Sequence, residues 1–135
     1  MIKIYVAGPL SAPALGYLEN MRRVMTVSAH LFLMGMSPFC TALDYHYALM
    51  RPELEEPIKT EHFYKASIEW VGVSDAILVL PNWRKSKGTL GEIEEAVKTN
   101  VPVFHTPRGL LNYFCFPPDP TLDVLWEKWE AEPVL

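Results

Sequence analysis

The chain has 135 residues, half of them hydrophobic, which is the size and composition of one domain around a single packed core. Its net charge of −4 argues against bulk attraction to nucleic acid or to an anionic membrane, and no apolar run reaches the roughly 20 residues of a membrane-spanning helix. The two cysteines set no disulfide framework and the first residues do not fit a signal peptide, so we expect a cytoplasmic protein.

The first half of the chain predicts two strands and a long helix. The run MIKIYVAGP is apolar, rich in β-branched residues and ended by Gly-Pro, which predicts a buried strand. MSPFC predicts a second strand, which Pro38 weakens, and residues 41–60 predict a short helix followed by an exposed loop. Between the two strands, residues 15–34 have helical spacing, with a stripe expected to face the core that comprises Leu18, Met21, Val24, Met25, Ser28, Ala29 and Phe32.

The second half predicts two further strands, each beside a helix. DAILVLP is a continuous apolar run, typical of a central parallel strand that is covered on both faces. A helix follows it from about Thr89 to Thr99, VPVFHTP predicts a fourth strand, and a Pro-rich turn leads to a short helix over 122–130. Before DAILVLP, a helix over 61–73 offers four residues for burial, namely Phe63, Ile68, Trp70 and Val71.

This alternation predicts a three-layer α/β sandwich, with a flavodoxin- or Rossmann-like parallel sheet of four or five strands and helices on both faces. We expect one domain over 1–135, whose tail, 107–135, packs on the domain or on a partner subunit. The carboxyl ends of parallel strands form the ligand crevice where the strand order switches. The segments AGPLSA, PNWRKSKG and HTPRG fall at such ends and therefore mark the predicted site.

Glu92 is the candidate catalytic residue. If a helix begins near Gly88 or Thr89, Glu92 lies in its first turn, where the helix dipole favours the ionised carboxylate. A shielded carboxylate is a good nucleophile toward the anomeric carbon of a sugar whose leaving group departs. The alternative is ordinary enrichment of acidic residues at a helix start, and we expect Glu94 and Glu95 to be solvated.

A phosphate site is predicted beside Glu92. Glycines let backbone N–H groups approach a ligand, and a helix N-terminus binds anions, so Ser86, Lys87 and Gly88 could cradle a phosphate. Gly8 and Ser11 would face the same crevice. In the alternative interpretation, the first three belong to a charged surface loop and the other two to a tight turn.

Aromatic side chains near these segments could stack on a planar base. Trp83 lies on the predicted site loop, and packing in the core or a lid is the alternative for it as for the others, which are Tyr17, Tyr45, Tyr47 and Phe63. His46, His62 and His105 lack metal-ligand spacing, so we predict neither a metal nor another cofactor.

The segments KIYVAGPLS, SDAILVLPNW and SKGTLGEIEEA resemble the nucleoside 2-deoxyribosyltransferase-like superfamily, which includes deoxynucleoside 5′-monophosphate N-glycosidases. The resemblance spans roughly residues 1–96, and its most specific features are the Gly-Pro turn and the arrangement W-x-x-S-x-G-x-x-x-E. It implies that Glu92 attacks the anomeric carbon and that the resulting glycosyl-enzyme passes its sugar to a base or to water. Ser86, where transferases that act on free nucleosides tend to have Asp, implies a monophosphate ligand.

The chain departs from this family at the acid that assists departure of the base. The resemblance implies an Asp in the helix before the third strand, but the matching position is near Ser67. Glu69 would reach the site only if the register shifts by two residues. Other candidates for protonating the base are Asp44, His46 and Tyr47.

We therefore expect an N-glycosidase or base-transfer enzyme acting on a (deoxy)ribonucleoside 5′-monophosphate. Glu92 is its nucleophile, with Gly8, Ser11, Ser86, Lys87 and Gly88 holding phosphate and sugar, and with Tyr17 or Trp83 bordering the base. The alternatives are a nucleotide-binding protein without catalysis and a structural protein whose basic loop contacts a partner. The resemblance also implies a homodimer or higher oligomer, for which the aromatic tail would suit the interface as well as it would cap the sheet.

Overall fold

A computed structural model describes residues 1–44, 46–47 and 56–134, so Tyr45, one of the aromatic candidates, lies outside the described residues. Four strands form its sheet: β1 (Lys3–Ala7), β2 (Ser37–Cys40), β3 (Ala76–Val79) and β4 (Val103–Phe104). The helices are α1 (Ala14–Leu33), α2 (Thr41–Asp44), α3 (Thr60–Gly72), α4 (Lys87–Lys98), α5 (Pro107–Tyr113) and α6 (Pro120–Ala131).

All four strands are parallel, in the order β2-β1-β3-β4. The chain therefore moves outward from β1 to one edge, returns to pair β3 with the other side of β1, and ends at the opposite edge. The strand order switches at β1 and β3, whose carboxyl ends lie side by side. The predicted three-layer α/β sandwich with a parallel sheet is confirmed.

Alternating side chains of the central strands supply two separate cores. Ile4 and Val6 of β1 pack with α1, α5 and α6 on the first face of the sheet. Tyr5 and Ala7 of the same strand pack with α3 and α4 on the second face. This alternation follows from the period of two in a β-strand and places helices on both faces.

Helix α1 forms where it was predicted, but the face that it buries is rotated from the predicted stripe. Val24 and Ser28 are buried as expected, whereas Leu18, Met25 and Phe32 are exposed, with Phe32 at 67%. The buried face also includes Asn20 and Arg23 near the amino end of the helix. Both side chains have partners where they are buried, since Asn20 donates to the Leu10 carbonyl at 3.3 Å and Arg23 donates to the Glu132 carbonyl at 2.9 Å.

The C-terminal segment packs on its own domain. Trp126 and Trp129 of α6 belong to the core of the first face, and the Trp126 indole N–H donates to the His105 carbonyl at 2.8 Å. Of the two roles left open for the aromatic tail, covering the sheet is therefore the one that these two tryptophans have. Helix α5 was not predicted, although Thr106 caps it by accepting a hydrogen bond from the Gly109 N–H at 3.1 Å.

Within the described ranges, none of the helices combines the length and the hydropathy that crossing a membrane requires.

Candidate functional site

A cavity of about 760 Å³ lies at the carboxyl ends of the strands, where the strand order switches. Its walls come from the loop after β1, the amino half of α1, α2, α3, the segment 80–92 that runs into α4, and residues 133–134 of the tail. Six of the eight predicted site residues line it, namely Gly8, Ser11, Ser86, Lys87, Gly88 and Glu92. Segments far apart in the sequence thus meet where parallel-strand topology predicts a ligand site.

Glu92 lies in the cavity wall, and one of its carboxyl oxygens has no hydrogen-bond partner among the described residues. Its residue exposure is 9%, and its Oε2 atom makes no hydrogen bond with the described chain. The Tyr5 hydroxyl interacts electrostatically with Glu92 and Ser67, but it also makes no hydrogen bond of standard distance and angle. Because an unpaired buried polar group costs about 1–3 kcal/mol, the Glu92 oxygen in the cavity wall is where a ligand would supply a missing partner.

Burial controls the protonation of Glu92. Loss of solvation raises the pKa of its carboxyl to about 8, the Tyr5 hydroxyl opposes this rise, and the negative charge of Asp44 adds to it. The prediction of a carboxylate kept ionised by the helix dipole is therefore wrong. The reason is positional, because α4 begins at Lys87 and Glu92 lies in its second turn, whereas the dipole effect falls off within the first turn.

Ser86 begins α4 as its N-cap. Its Oγ accepts a hydrogen bond from the Thr89 N–H at 3.3 Å and lies 2.9 Å from the Thr89 hydroxyl oxygen. The hydroxyl that was predicted to bind phosphate is therefore also a helix cap. The first N–H groups of a helix have no partner within it, so those of Lys87 and Gly88 are the donors that α4 offers at the cavity.

Two glycines in the cavity wall allow close packing. A Cβ at Gly8 would lie 3.1 Å from Leu80 Cβ, so glycine lets the ends of β1 and β3 approach each other. A Cβ at Gly88 would lie 3.0 Å from the Tyr64 ring, which packs over the start of α4. Both the turn interpretation and the site interpretation of Gly8 are therefore compatible with its position.

Trp83 and Tyr17, which were predicted to border a base, lie outside the cavity lining. Trp83 packs against the core of the second face, and its ring centroid is 5.0 Å from that of His105. Tyr17 packs against the core of the first face. The aromatic residues that do line the cavity are Phe63 and Tyr64 of α3. The base-stacking role predicted for Trp83 and Tyr17 therefore has no geometric support.

Three of the four candidates for the missing acid are absent from the cavity lining. Glu69, His46 and Tyr47 are exposed and do not line it. Asp44 at the end of α2 is half-buried and lines it, and its charge raises the pKa of both Glu92 and Tyr5. Asp75, the residue before β3, does not line the cavity. It accepts a hydrogen bond from the Lys3 N–H at 2.7 Å and so joins the starts of β1 and β3.

Arg23 is a cavity residue that the sequence analysis missed. It is only 8% exposed, and its guanidinium donates to the Glu132 carbonyl at 2.9 Å and to Glu19 at 3.3 Å. It also lies over the Trp129 ring at 5.4 Å. Arg23 follows Asn20 by one helical turn on the face of Val24, and two polar residues on an apolar face are the signal that could have revealed this wall.

Charged residues of the cavity lining favour an anionic ligand. The described lining contains four basic side chains, Arg23, Arg84, Lys85 and Lys87, and two acidic ones, Asp44 and Glu92. Burial keeps a proton on Glu92 at neutral pH, which increases the positive excess. No group of three or more potential metal ligands occurs among the described His, Cys, Asp and Glu side chains.

A protein-family model matches most of the chain. Residues 2–105 match a family model described as a domain of unknown function, DUF4406. No curated protein and no solved structure matches the chain. The matched range contains all four strands and all of the described cavity lining except Pro133 and Val134.

Proposed function

The chain belongs to the DUF4406 family, and we propose that it binds a nucleoside 5′-monophosphate and cleaves its N-glycosidic bond with Glu92 as the nucleophile. One observation carries this proposal: a buried carboxyl oxygen without a hydrogen-bond partner, on a residue that lines a cavity with an excess of basic side chains. A structural carboxyl would be expected to have a partner.

The spacing along α4 fits the two ends of a sugar phosphate. Gly88 and Glu92 are four residues apart, which is about 6 Å along a helix axis. A 5′-phosphate on the N–H groups of Lys87 and Gly88 would therefore leave the anomeric carbon within reach of Glu92. Lys85 and Lys87 would add charge, and Ser11 would contact the ligand from the loop after β1.

Cleavage then follows the double displacement of retaining glycosidases. An ionised Glu92 oxygen bonds to C1′ while the C1′–N bond breaks, and the bonding electron pair leaves with the base. A water molecule, or a second base, then attacks C1′ and releases Glu92. Because the transition state is positively charged at the sugar, it stabilises the ionised carboxylate that burial disfavours.

A nucleotide-binding protein without catalysis is the second candidate. It is favoured by Ser67, which occupies the position where the resembled family has an acid, and by the proton that burial keeps on Glu92. In this case nucleoside monophosphates would raise the melting temperature of the protein, and no free base would accumulate over hours.

A cytoplasmic location and self-association are further parts of the proposal. Both cysteines are free thiols, as a reducing compartment favours. Leu18, Met25 and Phe32 are exposed and seven residues apart on α1, so they form one apolar stripe that a second copy could cover. Analytical ultracentrifugation of the wild type and of Phe32→Ser would test whether this stripe holds an oligomer.

The test of the proposed function is release of free base from a panel of ribo- and deoxyribonucleoside monophosphates. We expect Glu92→Gln to lower turnover by about 10³-fold or more while the nucleotide still raises the melting temperature. Glu94→Gln is the matched control, because Glu94 is exposed on the same helix and lies outside the cavity lining. Full activity of the Glu92 variant would show that the nucleophile is another group.

A further inference from the structure

The described lining of the cavity contains two carboxyl groups, Glu92 and Asp44. We propose that Asp44 is the general acid that protonates the departing base, and this inference rests on the proposed function. It moves the acid of the reaction from α3, where the resembled family has it, to the end of α2.

The pairing of β2 with β1 positions Asp44 in the cavity wall. Helix α2 follows β2 without a break, and β2 pairs with β1 in a register that sets Cys40 beside Val6. The Thr41 hydroxyl donates to the Val6 carbonyl at 3.2 Å, which anchors the first residue of α2 to the end of β1. One helical turn later, Asp44 reaches the cavity from the edge-strand side, while Glu92 reaches it from α4.

The two carboxyl groups are electrostatically coupled. The charge of Asp44 acts on Glu92 and on the Tyr5 hydroxyl, which lies on β1. Burial and this charge both favour a proton on Glu92. Glycoside cleavage needs the reverse arrangement, a Glu92 carboxylate and an Asp44 carboxylic acid, and the positive charge that develops at C1′ favours this transfer of the proton from Glu92 to Asp44.

The proton that Asp44 donates balances the charge of the departing base in the first step of the reaction. The Glu92 oxygen forms the bond to C1′, and the electron pair of the C1′–N bond goes to the base. The Asp44 proton moves to a heteroatom of the base, so the base leaves neutral and Asp44 becomes a carboxylate. In the second step Asp44 recovers a proton from the water molecule or the incoming base that attacks C1′. A positioned acid of this kind contributes about 10²–10⁴-fold to the rate.

Other described groups are poorer candidates for this proton. Ser67 lines the cavity, but a hydroxyl is too weak an acid to protonate a departing base. Glu69, His46 and Tyr47 do not line the cavity. Asp44 is the acidic group that remains in the described lining once Glu92 is assigned to the sugar.

The test compares two leaving groups in the full-length protein. One substrate is the nucleoside monophosphate that the panel shows to be cleaved fastest, and the other is the same sugar 5-phosphate carrying 4-nitrophenol at C1. Nitrophenolate leaves without a proton, so Asp44→Asn should lose at least about 10²-fold on the nucleotide and less than about 10-fold on the nitrophenyl compound. Glu92→Gln should lose activity on both, and His46→Asn, changed at an exposed position outside the cavity lining, should match the wild type.

The outcomes separate this inference from the function on which it rests. Full nucleotide cleavage by Asp44→Asn, with Glu92→Gln inactive, would overturn the assignment of Asp44 and leave the proposed function standing. Equal losses on both substrates would also overturn it, because they would give Asp44 a positioning role. If the wild type releases no base from any nucleotide, both the proposed function and the assignment of Asp44 are wrong.

A second measurement needs no variant and so holds even if Asp44→Asn does not fold. For the wild type, the rate of nucleotide cleavage should fall at high pH as the pair formed by Asp44 and Glu92 loses its last proton, whereas the rate with the nitrophenyl compound should not fall. Identical pH profiles for the two substrates would contradict a proton donor to the base.

Discussion

The two faces of the sheet differ in whether their buried polar side-chain atoms have hydrogen-bond partners. Within the described part of the chain, the core of the first face has 16 buried apolar residues, most of them from strands, α1, α5 and α6, and the Trp126 indole within it has a hydrogen-bond partner. The core of the second face has seven, and the two buried side-chain atoms without partners, Tyr5 Oη and Glu92 Oε2, both lie on this side among the described residues. The first face therefore contributes more to stability. The second face has fewer buried apolar residues and holds a reactive group.

The largest effect that we expect from this difference is a pH-dependent loss of stability. Burial raises the pKa of Glu92 from 4.5 to about 8, so the folded protein binds this proton more tightly than the unfolded chain does. Its contribution to stability is complete below about pH 4.5 and is lost as the pH rises through about 8. At about 1.36 kcal/mol per pKa unit, the loss is at most about 5 kcal/mol.

Urea unfolding of the wild type and of Glu92→Gln at pH 5, 7 and 9 measures this loss. The variant should be the more stable protein at pH 9, and its advantage should shrink as the pH falls. Glu94→Gln controls for the removal of a carboxyl group from the same helix, because Glu94 is exposed. A difference between wild type and Glu92→Gln that stays constant with pH would show that Glu92 is ionised throughout.

The next effect contrasts one tryptophan on each face. Trp126→Ala removes a side chain from the first core and leaves the His105 carbonyl without its donor, so we expect a loss of about 3–5 kcal/mol. Trp70 of α3 is half exposed and stacks on Phe39 with ring centroids 5.1 Å apart. Trp70→Ala should therefore cost less than half as much. Equal losses in chemical denaturation would mean that the two faces contribute equally to stability.

The fold could be predicted from the sequence because each strand is a short apolar run and each crossover helix has its own periodicity. Helix α5 was missed because Pro107 and the proline-rich segment after it mask a seven-residue helix. The stripe of α1 was misassigned because exposed apolar residues such as Phe32 outweighed Arg23, which is buried. Periodicity reports apolar faces, and it cannot detect a polar face that borders a cavity.

Much of the candidate site could also be predicted, because parallel topology gathers the strand ends. Gly8, Ser11 and Glu92 line one cavity, with the residues that begin α4. The rest depends on contacts between residues distant in sequence. Arg23 meets Glu132, 109 residues away, and the Tyr5 hydroxyl lies near Glu92 because β1 lies next to β3 in the sheet. A local motif does not contain this information.

The smallest effect tests whether the buried hydroxyl of Tyr5 serves stability or chemistry. Tyr5 is fully buried, and its hydroxyl makes no standard hydrogen bond while it lowers the pKa of Glu92. Tyr5→Phe removes an unsatisfied group, so the free energy of unfolding should stay the same or rise by about 1 kcal/mol. Without this hydroxyl the Glu92 proton is held more tightly, so the pH at which base release changes with loss of this proton should move to a higher value. Tyr113→Phe, altered at an exposed hydroxyl on α5, should change neither quantity. A loss of 1 kcal/mol or more in Tyr5→Phe, with an unchanged pH profile, would assign the hydroxyl to the core and remove it from the site.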